Sequence, residues 1–295
     1  MIIPRNPEPD LQAAIAAAVA YLHGFELGYG HGTSDAVDDA AWLVLEAAGL
    51  SPLQEPDYSI RLSGAAIERA EEYLQQRAIE RIPSAYIVGR TWFAGLEFRV
   101  DPRVLIPRSP IAEFLIEEGF GLVEPQGVRR VLDLCTGSAC IAIAAAHAFE
   151  HAQVDASDIS AEALQVARSN VELHSMESRV TLTEADLFDG LSGRYDLILS
   201  NPPYVDAADM ASTADEFSHE PALGLVAGVD GLDIAHRILA TSSHYLSSDG
   251  LLVCEVGNSS VALQKAYPHV RFNWLEFANG GDGVFYMSAS ELAAL

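Results

Sequence analysis

Val131-Leu132-Asp133-Leu134-Cys135-Thr136-Gly137-Ser138-Ala139-Cys140 reads as a short buried strand that turns through a glycine into a helix. A brief apolar run before such a turn suits a strand covered on both faces. The glycine lets a ligand approach the backbone, and the free N–H groups at the helix start face it. Outward from this stretch the chain keeps alternating. Residues 138–149 and 160–174 are helical, and Gln153–Asp158 and residues 180–182 are strands. Residues 196–200 form the next strand, 231–246 a helix, and 250–256, 270–277 and Val284–Ser288 three further strands. This alternation predicts an α/β fold with a mostly parallel seven-stranded sheet, helices lying on both faces.

The N-terminal part reads differently. Residues 11–23 are alanine-rich, with Ile15, Val19 and Leu22 at helical spacing. Residues 35–48 carry Val37, Ala41, Val44 and Leu45 on one face, with Ser34 as the expected cap and Gly49 as the stop. A third helix spans residues 63–81, and Pro83 closes the region. Ala85-Tyr86-Ile87-Val88, Thr91-Trp92-Phe93 and Leu96-Glu97-Phe98-Arg99-Val100 are strand-like, and Gly89 and Gly95 between them suit a small hairpin. Leu105-Ile106-Pro107-Arg108 leads into an amphipathic helix over 110–123. The expected organisation is a helical domain (1–84), a hairpin and connecting helix (85–127) and the alternating domain (128–295).

With 295 residues and 49% apolar content, the chain can bury a large core in two domains. No uncharged apolar stretch approaches the length of a bilayer span, so no membrane association is expected. The opening ten residues hold prolines and acids where a signal peptide has a basic and then an apolar region, which predicts a soluble cytoplasmic protein. Cys135, Cys140 and Cys254 are an odd set in core-like segments, expected as reduced thiols. His147 and His151 share a helical face but have no third ligand nearby, so no metal site is expected. Net charge is −25, with 19 acids and 9 bases up to residue 125, and 23 and 8 beyond. A field this negative in both halves repels nucleic acid phosphates and favours a basic partner.

Candidate binding residues stand at successive strand ends. Asp158 closes the second strand about 20 residues beyond the first turn, where an acid can hold ribose hydroxyls. This arrangement suits a dinucleotide or another adenosine cofactor. The dinucleotide fingerprint is incomplete, because Cys135 and Ala139 flank a single Gly137. Asp133 sits inside a strand end, where an acid is costly unless paired. It suits the cationic amino acid end of S-adenosylmethionine, reached directly or through water. Asp186 follows the third strand, within reach of an adenine amine.

After the fourth strand stands Asn201-Pro202-Pro203-Tyr204. Two prolines lack the N–H a ladder needs, so the chain must leave the sheet there. Proline also holds the residue before it extended, which stiffens Asn201. The strand end thus presents a side-chain amide, a rigid carbonyl and an aromatic ring, a set suited to a small planar group bearing NH2. An ordinary Asn-Pro loop exit accounts for the tetrapeptide equally well when it is taken alone.

These motifs together resemble the class I S-adenosylmethionine-dependent methyltransferases, whose fold is Rossmann-like. The Asn-Pro-Pro-Tyr motif is similar to that of enzymes modifying exocyclic or amide nitrogens. The helical N-terminal part, Leu105-Ile106-Pro107-Arg108 and Glu220-Pro221-Ala222-Leu223-Gly224-Leu225 resemble the protein glutamine methyltransferases among them. Tyr29-Gly30-His31-Gly32-Thr33, Ile106-Pro107-Arg108-Ser109-Pro110-Ile111 and Gly280-Gly281-Asp282-Gly283-Val284-Phe285 look like the branch acting on the third protein of the large ribosomal subunit. Ala139 departs from the pattern, where the family more usually has glycine.

The resemblance implies a cofactor site made by Asp133, Cys135, Thr136, Gly137, Ser138, Asp158, Ile159, Asp186, Leu187 and Asn201. It implies catalysis at Asn201, Pro202, Pro203 and Tyr204. In this mechanism Asn201 and the Pro202 carbonyl each accept one amide hydrogen and Tyr204 packs on the amide. The expected partner is a basic ribosomal protein, read by the helical domain, with no direct role for nucleic acid. Rival readings are a release-factor glutamine methyltransferase, a nucleic acid adenine N6-methyltransferase, a nicotinamide-dependent oxidoreductase and a non-catalytic assembly factor.

Overall fold

The computed structural model describes residues 1–5, 8–117, 119–206, 209–210 and 214–295. The chain divides into two compact units. One comprises Met1–Thr91 with Ala214–His219, the other Trp92–Thr213 with Glu220–Leu295. Among the described residues no helix is long and apolar enough to cross a membrane.

The first unit is helical: α1 (Leu11–Leu22), α2 (Ala36–Ala48), α3 (Gly64–Ala78) and α4 (Ser84–Val88). Leu11, Ala14, Ala18, Leu43, Val44, Ile67 and Leu74 form its buried core. Small alanines on α1 and α2 let the helices approach closely. The cap of α2 is Asp35, not the expected Ser34. Its carboxylate accepts from the N–H groups of Val37 and Asp38 at 2.7 and 3.0 Å, and a carboxylate also gains from the helix dipole. Residues 85–88, expected to be extended, are helical. Pro83 precedes the short helix and Gly89 closes it with φ 78, so local punctuation outweighs the β-branched pair Ile87-Val88. Arg77, Asp39 and Glu216 are buried together in this unit: the guanidinium meets Asp39 at 2.6 Å and Glu216 at 2.9 Å.

A two-stranded sheet joins β1 (Arg90–Phe93) and β2 (Leu96–Arg99). Its turn residues Ala94 and Gly95 have φ 50 and 76, the left-handed pair that a tight hairpin requires. The connecting helix α5 covers only Ile111–Ile116, shorter than the expected 110–123. Gly119, Phe120 and Gly121 all take positive φ and stop it.

The second unit is built on β3 (Arg130–Leu134), α6 (Cys140–Ala148), β4 (Gln153–Asp158), α7 (Ala161–Leu173), β5 (Val180–Glu184) and β6 (Tyr195–Ser200). It continues with α8 (Asp233–Ser242), β7 (Leu246–Glu255), α9 (Ser260–Ala266), β8 (Asn273–Trp274), β9 (Val284–Ser288) and α10 (Ala289–Leu292). The helix expected over 231–246 stops at Ser242, and the strand expected from 250 begins at Leu246. The strand expected over 270–277 shrinks to two residues.

The seven-stranded sheet runs β5-β4-β3-β6-β7-β9-β8. Strands β3 to β7 pair in parallel and β9 returns antiparallel, a Rossmann-like α/β architecture as expected. Successive residues bury on opposite faces. Val131, Leu197, Leu199 and Val253 pack with Ile141, Ile143 and Ala145, while Leu132, Leu134, Ile198 and Leu252 pack with Ile238 and Leu239. That period of two places helices on both faces. Strand order reverses between β3 and β6, and the register aligns Leu134 with Ser157 and Ser200, and Ser200 with Cys254. The carboxyl ends of five strands therefore open at one level beside a topological switch point, where open α/β sheets bind ligands.

Candidate active site

A cavity of about 230 Å3 opens over these strand ends. Its floor is the turn after β3. Cys135, Gly137 and Ala139 alternate in the left-handed region with φ 59, 54 and 63. Every second residue thus bends the same way, and the turn wraps tightly into α6. Nothing lies within 4 Å of where a Cβ on Gly137 would stand, so this turn keeps its backbone open on that side. Thr136 N–H donates to Ser157 O at 3.0 Å, and Gly137 N–H to Asp158 Oδ2 at 2.9 Å. Asn170, fully buried, donates to Ser138 O at 2.9 Å. Sequence reading missed this asparagine, which carries no motif signal on α7.

The predicted cofactor residues converge. Cys135, Thr136, Gly137, Ser138, Asp158, Ile159, Asp186, Leu187 and Asn201 all line the cavity. Cys135, half-buried, and Cys140, buried at the start of α6, both line the cavity, and of the three cysteines only Cys254 lies in the core away from it. Asp158 accepts two backbone N–H bonds, from Gly137 and Ser160, yet burial still pushes its carboxyl up. Asp186 pairs with Arg237 at 2.9 Å on the cavity wall. Leu187, three residues beyond β5, takes φ 56, a further left-handed position.

Asp133 is placed differently from its neighbours. It does not line the cavity but lies beneath the turn, fully buried. Its Oδ2 accepts from Thr136 Oγ1 and from Ala142 N–H, the latter at 3.1 Å. Among the described residues its Oδ1 has no partner. Burial pushes this carboxyl up to about 7, against the pull of those two hydrogen bonds.

Of the Asn-Pro-Pro-Tyr motif, Asn201 and Pro203 line the cavity, and Pro202 and Tyr204 do not. No described residue forms a hydrogen bond with the Asn201 side-chain amide. Tyr204 Oη donates to Glu255 Oε1 at 2.8 Å. Further lining comes from Leu105, Pro107 and Arg108 and from Pro221, Leu223 and Val226. Arg108 grips Glu220 with two bonds of 2.6 and 2.9 Å. Three arginines line the cavity, Arg103, Arg108 and Arg237. Each is paired with an acid: Asp101, Glu220 and Asp186. Arg103 and Arg237 lie outside every motif and were invisible in the sequence. Among the described residues no three His, Cys, Asp or Glu side chains are grouped to hold a metal ion.

The family described as Methyltransferase small domain matches residues 120–228. The chain is 42% identical to a ribosomal protein uL3 glutamine methyltransferase of Bordetella pertussis over 98% of both chains. It is 44% identical to a protein of the same name from Francisella tularensis, over 90% of this chain and 85% of that one. Among solved structures, the hMettl16 catalytic domain in complex with the MAT2A 3'UTR hairpin 6 superposes with a TM-score of 0.53 at 17% identity, over 80% of this chain and 87% of that one. That likeness concerns the fold alone. The chain belongs to the family of the ribosomal protein uL3 glutamine methyltransferases.

Proposed function

We infer that the protein transfers a methyl group to the side-chain amide nitrogen of a glutamine in ribosomal protein uL3. The observation that carries the chemistry is Asn201: it stands on the cavity at the end of β6, its amide takes no hydrogen bond from described residues, and two prolines stiffen the backbone behind it.

Methyltransferases of this family use S-adenosylmethionine. The residues on the cavity fit it. Asp158 offers carboxylate lone pairs beyond the two backbone bonds, Ile159 and Leu187 offer apolar surface, and the Gly137 turn is open to close approach. The orphaned Oδ1 of Asp133 beneath that turn favours a cationic group above it. When bound, the cofactor supplies an electrophilic methyl carried on a sulfonium.

The protein's own contribution is orientation and electrostatics. An amide nitrogen is a poor nucleophile, because its lone pair is delocalised into the carbonyl. The acceptors we assign to the two amide hydrogens are the Asn201 side-chain oxygen and the backbone carbonyl of Pro202, a residue whose side chain does not itself line the cavity. They hold the nitrogen towards the methyl and stabilise the positive charge that develops on it. The surplus proton leaves afterwards to water. The helical unit reads the protein substrate, and the −25 charge attracts a basic one.

Mass spectrometry after incubation with S-adenosylmethionine tests the reading. A single added methyl on a glutamine of uL3, and none on release factors, is the expected result. Methylation of release factors alone reassigns the substrate, and methylation of neither overturns the reading.

A further inference from the structure

Arg108 and Ser109 are neighbours in sequence but reach two different buried carboxylates. Arg108 takes Glu220, as described, and Ser109 Oγ donates to Glu255 Oε2 at 2.5 Å. Ser109 Oγ also accepts from Ile111 N–H at 3.1 Å, which turns its own hydrogen towards Glu255. Glu255 is the last residue of β7 and is buried. No salt bridge neutralises it among the described residues. Its two oxygens are taken by two hydroxyls, Ser109 on one side and Tyr204 on the other.

A buried carboxylate is costly unless it is hydrogen-bonded, and these two hydroxyls are the donors that hold it, so removing either one leaves an oxygen unsatisfied. What the carboxylate fixes is Tyr204. The ring rests against Gly257, where a Cβ would come within 2.6 Å of Tyr204 Cε2. The carbonyl of Tyr204 accepts from Ser259 Oγ at 2.9 Å. The next residue, Val205, is bonded on both sides: its N–H donates to Leu225 O at 2.8 Å, and its carbonyl accepts from Ala227 N–H at 3.1 Å. Tyr204 is thus held at hydroxyl, ring and carbonyl, three residues after Asn201, with only two stiff prolines between them.

We propose that Glu255 is a positioning residue for methyl transfer: by holding the Tyr204 hydroxyl against the pull of Ser109, it fixes Asn201 and the Pro202 carbonyl where they grip the substrate amide. The proposal rests on the methyl-transfer reading given above. Reactions governed by orientation lose on the order of 100-fold in rate when the gripping atoms shift by about 1 Å. Glu255→Gln keeps the shape but turns one acceptor into a donor, so one of the two hydroxyls must reverse from donating to accepting and the charge-assisted bonds become neutral ones.

The test compares wild type, Glu255→Gln, Tyr204→Phe and the double variant. The readouts are kcat and KM on uL3, S-adenosylmethionine affinity by calorimetry, and hydrogen exchange of the Val205 amide. We expect kcat to fall at least tenfold in each single variant and cofactor affinity to stay within about twofold. The double variant should be no worse than the poorer single one, since both cut the same link. Exchange at Val205 should quicken in every variant. A Glu255→Gln protein with kcat within twofold of wild type, losses that multiply in the double variant, or cofactor affinity falling in step with kcat would each overturn the proposal. Where Glu255→Gln does not fold, Tyr204→Phe gives the same readouts, and a wild-type kcat there overturns it. A wild-type protein inactive on uL3 speaks against the substrate reading alone, because exchange at Val205 still tests the positioning.

Discussion

The backbone N–H of Gly137 donates to Oδ2 of Asp158 at 2.9 Å, so the turn after β3 and the end of β4 are closed on each other before any ligand arrives. The other oxygen of Asp158 takes the N–H of Ser160 at the start of α7. Asp158→Ala leaves both donors without that acceptor, which costs about 1–3 kcal/mol where such groups are buried. It also removes the carboxylate offered to the cofactor. Lower stability in urea together with at least tenfold weaker S-adenosylmethionine binding is expected. A variant that binds normally refutes the second half.

Asp133 makes stability and binding respond to pH in opposite senses. In the unfolded chain it ionises near pH 4, and in the folded protein near 7. Between those values the folded protein keeps a proton that the unfolded chain has released. Its contribution is therefore fully present below about pH 4 and lost as pH rises through about 7. Asp133→Asn is expected to gain stability relative to wild type as pH rises from 5 to 8, on the order of 4 kcal/mol at the upper end. Affinity for the cationic cofactor should rise through about pH 7 in wild type and stay flat in the variant. Denaturant curves and calorimetry at three pH values decide both.

Ala139 and Gly137 share left-handed backbone but differ in consequence. For Ala139→Gly, relief of the φ 63 conformation is worth roughly 1–2 kcal/mol. Against it stand the loss of a buried methyl, about 0.8 kcal/mol, and the added freedom of an unfolded glycine, roughly 0.5–1 kcal/mol. These cancel, so the substitution should be nearly neutral in thermal unfolding. Gly137→Ala meets no neighbour, so its cost is conformational, about 1 kcal/mol. A large loss in the first variant would show that the alanine methyl packs in a way glycine cannot replace.

Arg77→Met removes the cation from a buried trio. Asp39, at 1% side-chain exposure, loses its guanidinium, while Glu216, at 0%, keeps Arg81 at 3.3 Å. Breaking such a pair costs on the order of 3–5 kcal/mol. Arg77→Lys keeps the charge but loses the fork that also reaches Gly28 O at 2.6 Å, so it should fall between. Urea midpoints of the three proteins test the order.

Asn201→Ala removes one of the two acceptors proposed for the substrate amide while leaving the Gly137 turn and Asp158 intact. A kcat lower by about 100- to 1000-fold is expected, with cofactor affinity changed by no more than a few fold. Turnover at the wild-type rate would rule out the amide grip.

Much of the sheet was legible because its strands alternate so cleanly. Each apolar residue of Leu197-Ile198-Leu199 packs on a different face from its neighbour, and Pro202-Pro203 can end a strand but not continue one. The ends of elements were less legible. Residues 85–88 look extended by composition and are helical, because Pro83 and Gly89 govern five residues more firmly than side-chain preference does. Asp133 was readable as a costly acid in a strand, but not as one buried beneath the turn. Its depth depends on how α6 packs over β3.

From the sequence alone came the alternation that makes a parallel sheet, the glycine turn, the strand-end acids and the Asn-Pro-Pro exit from β6, because each is a local rule of backbone and side chain. The ion pair and the hydroxyl–carboxylate link beside that exit required the fold. Arg108 and Glu220 stand 112 residues apart, and Ser109 and Glu255 stand 146 apart. Nothing local pairs them. The crossing order of the strands brings the end of β7 beside the loop after β6, and burial then forces each carboxylate to take the donor that topology delivers.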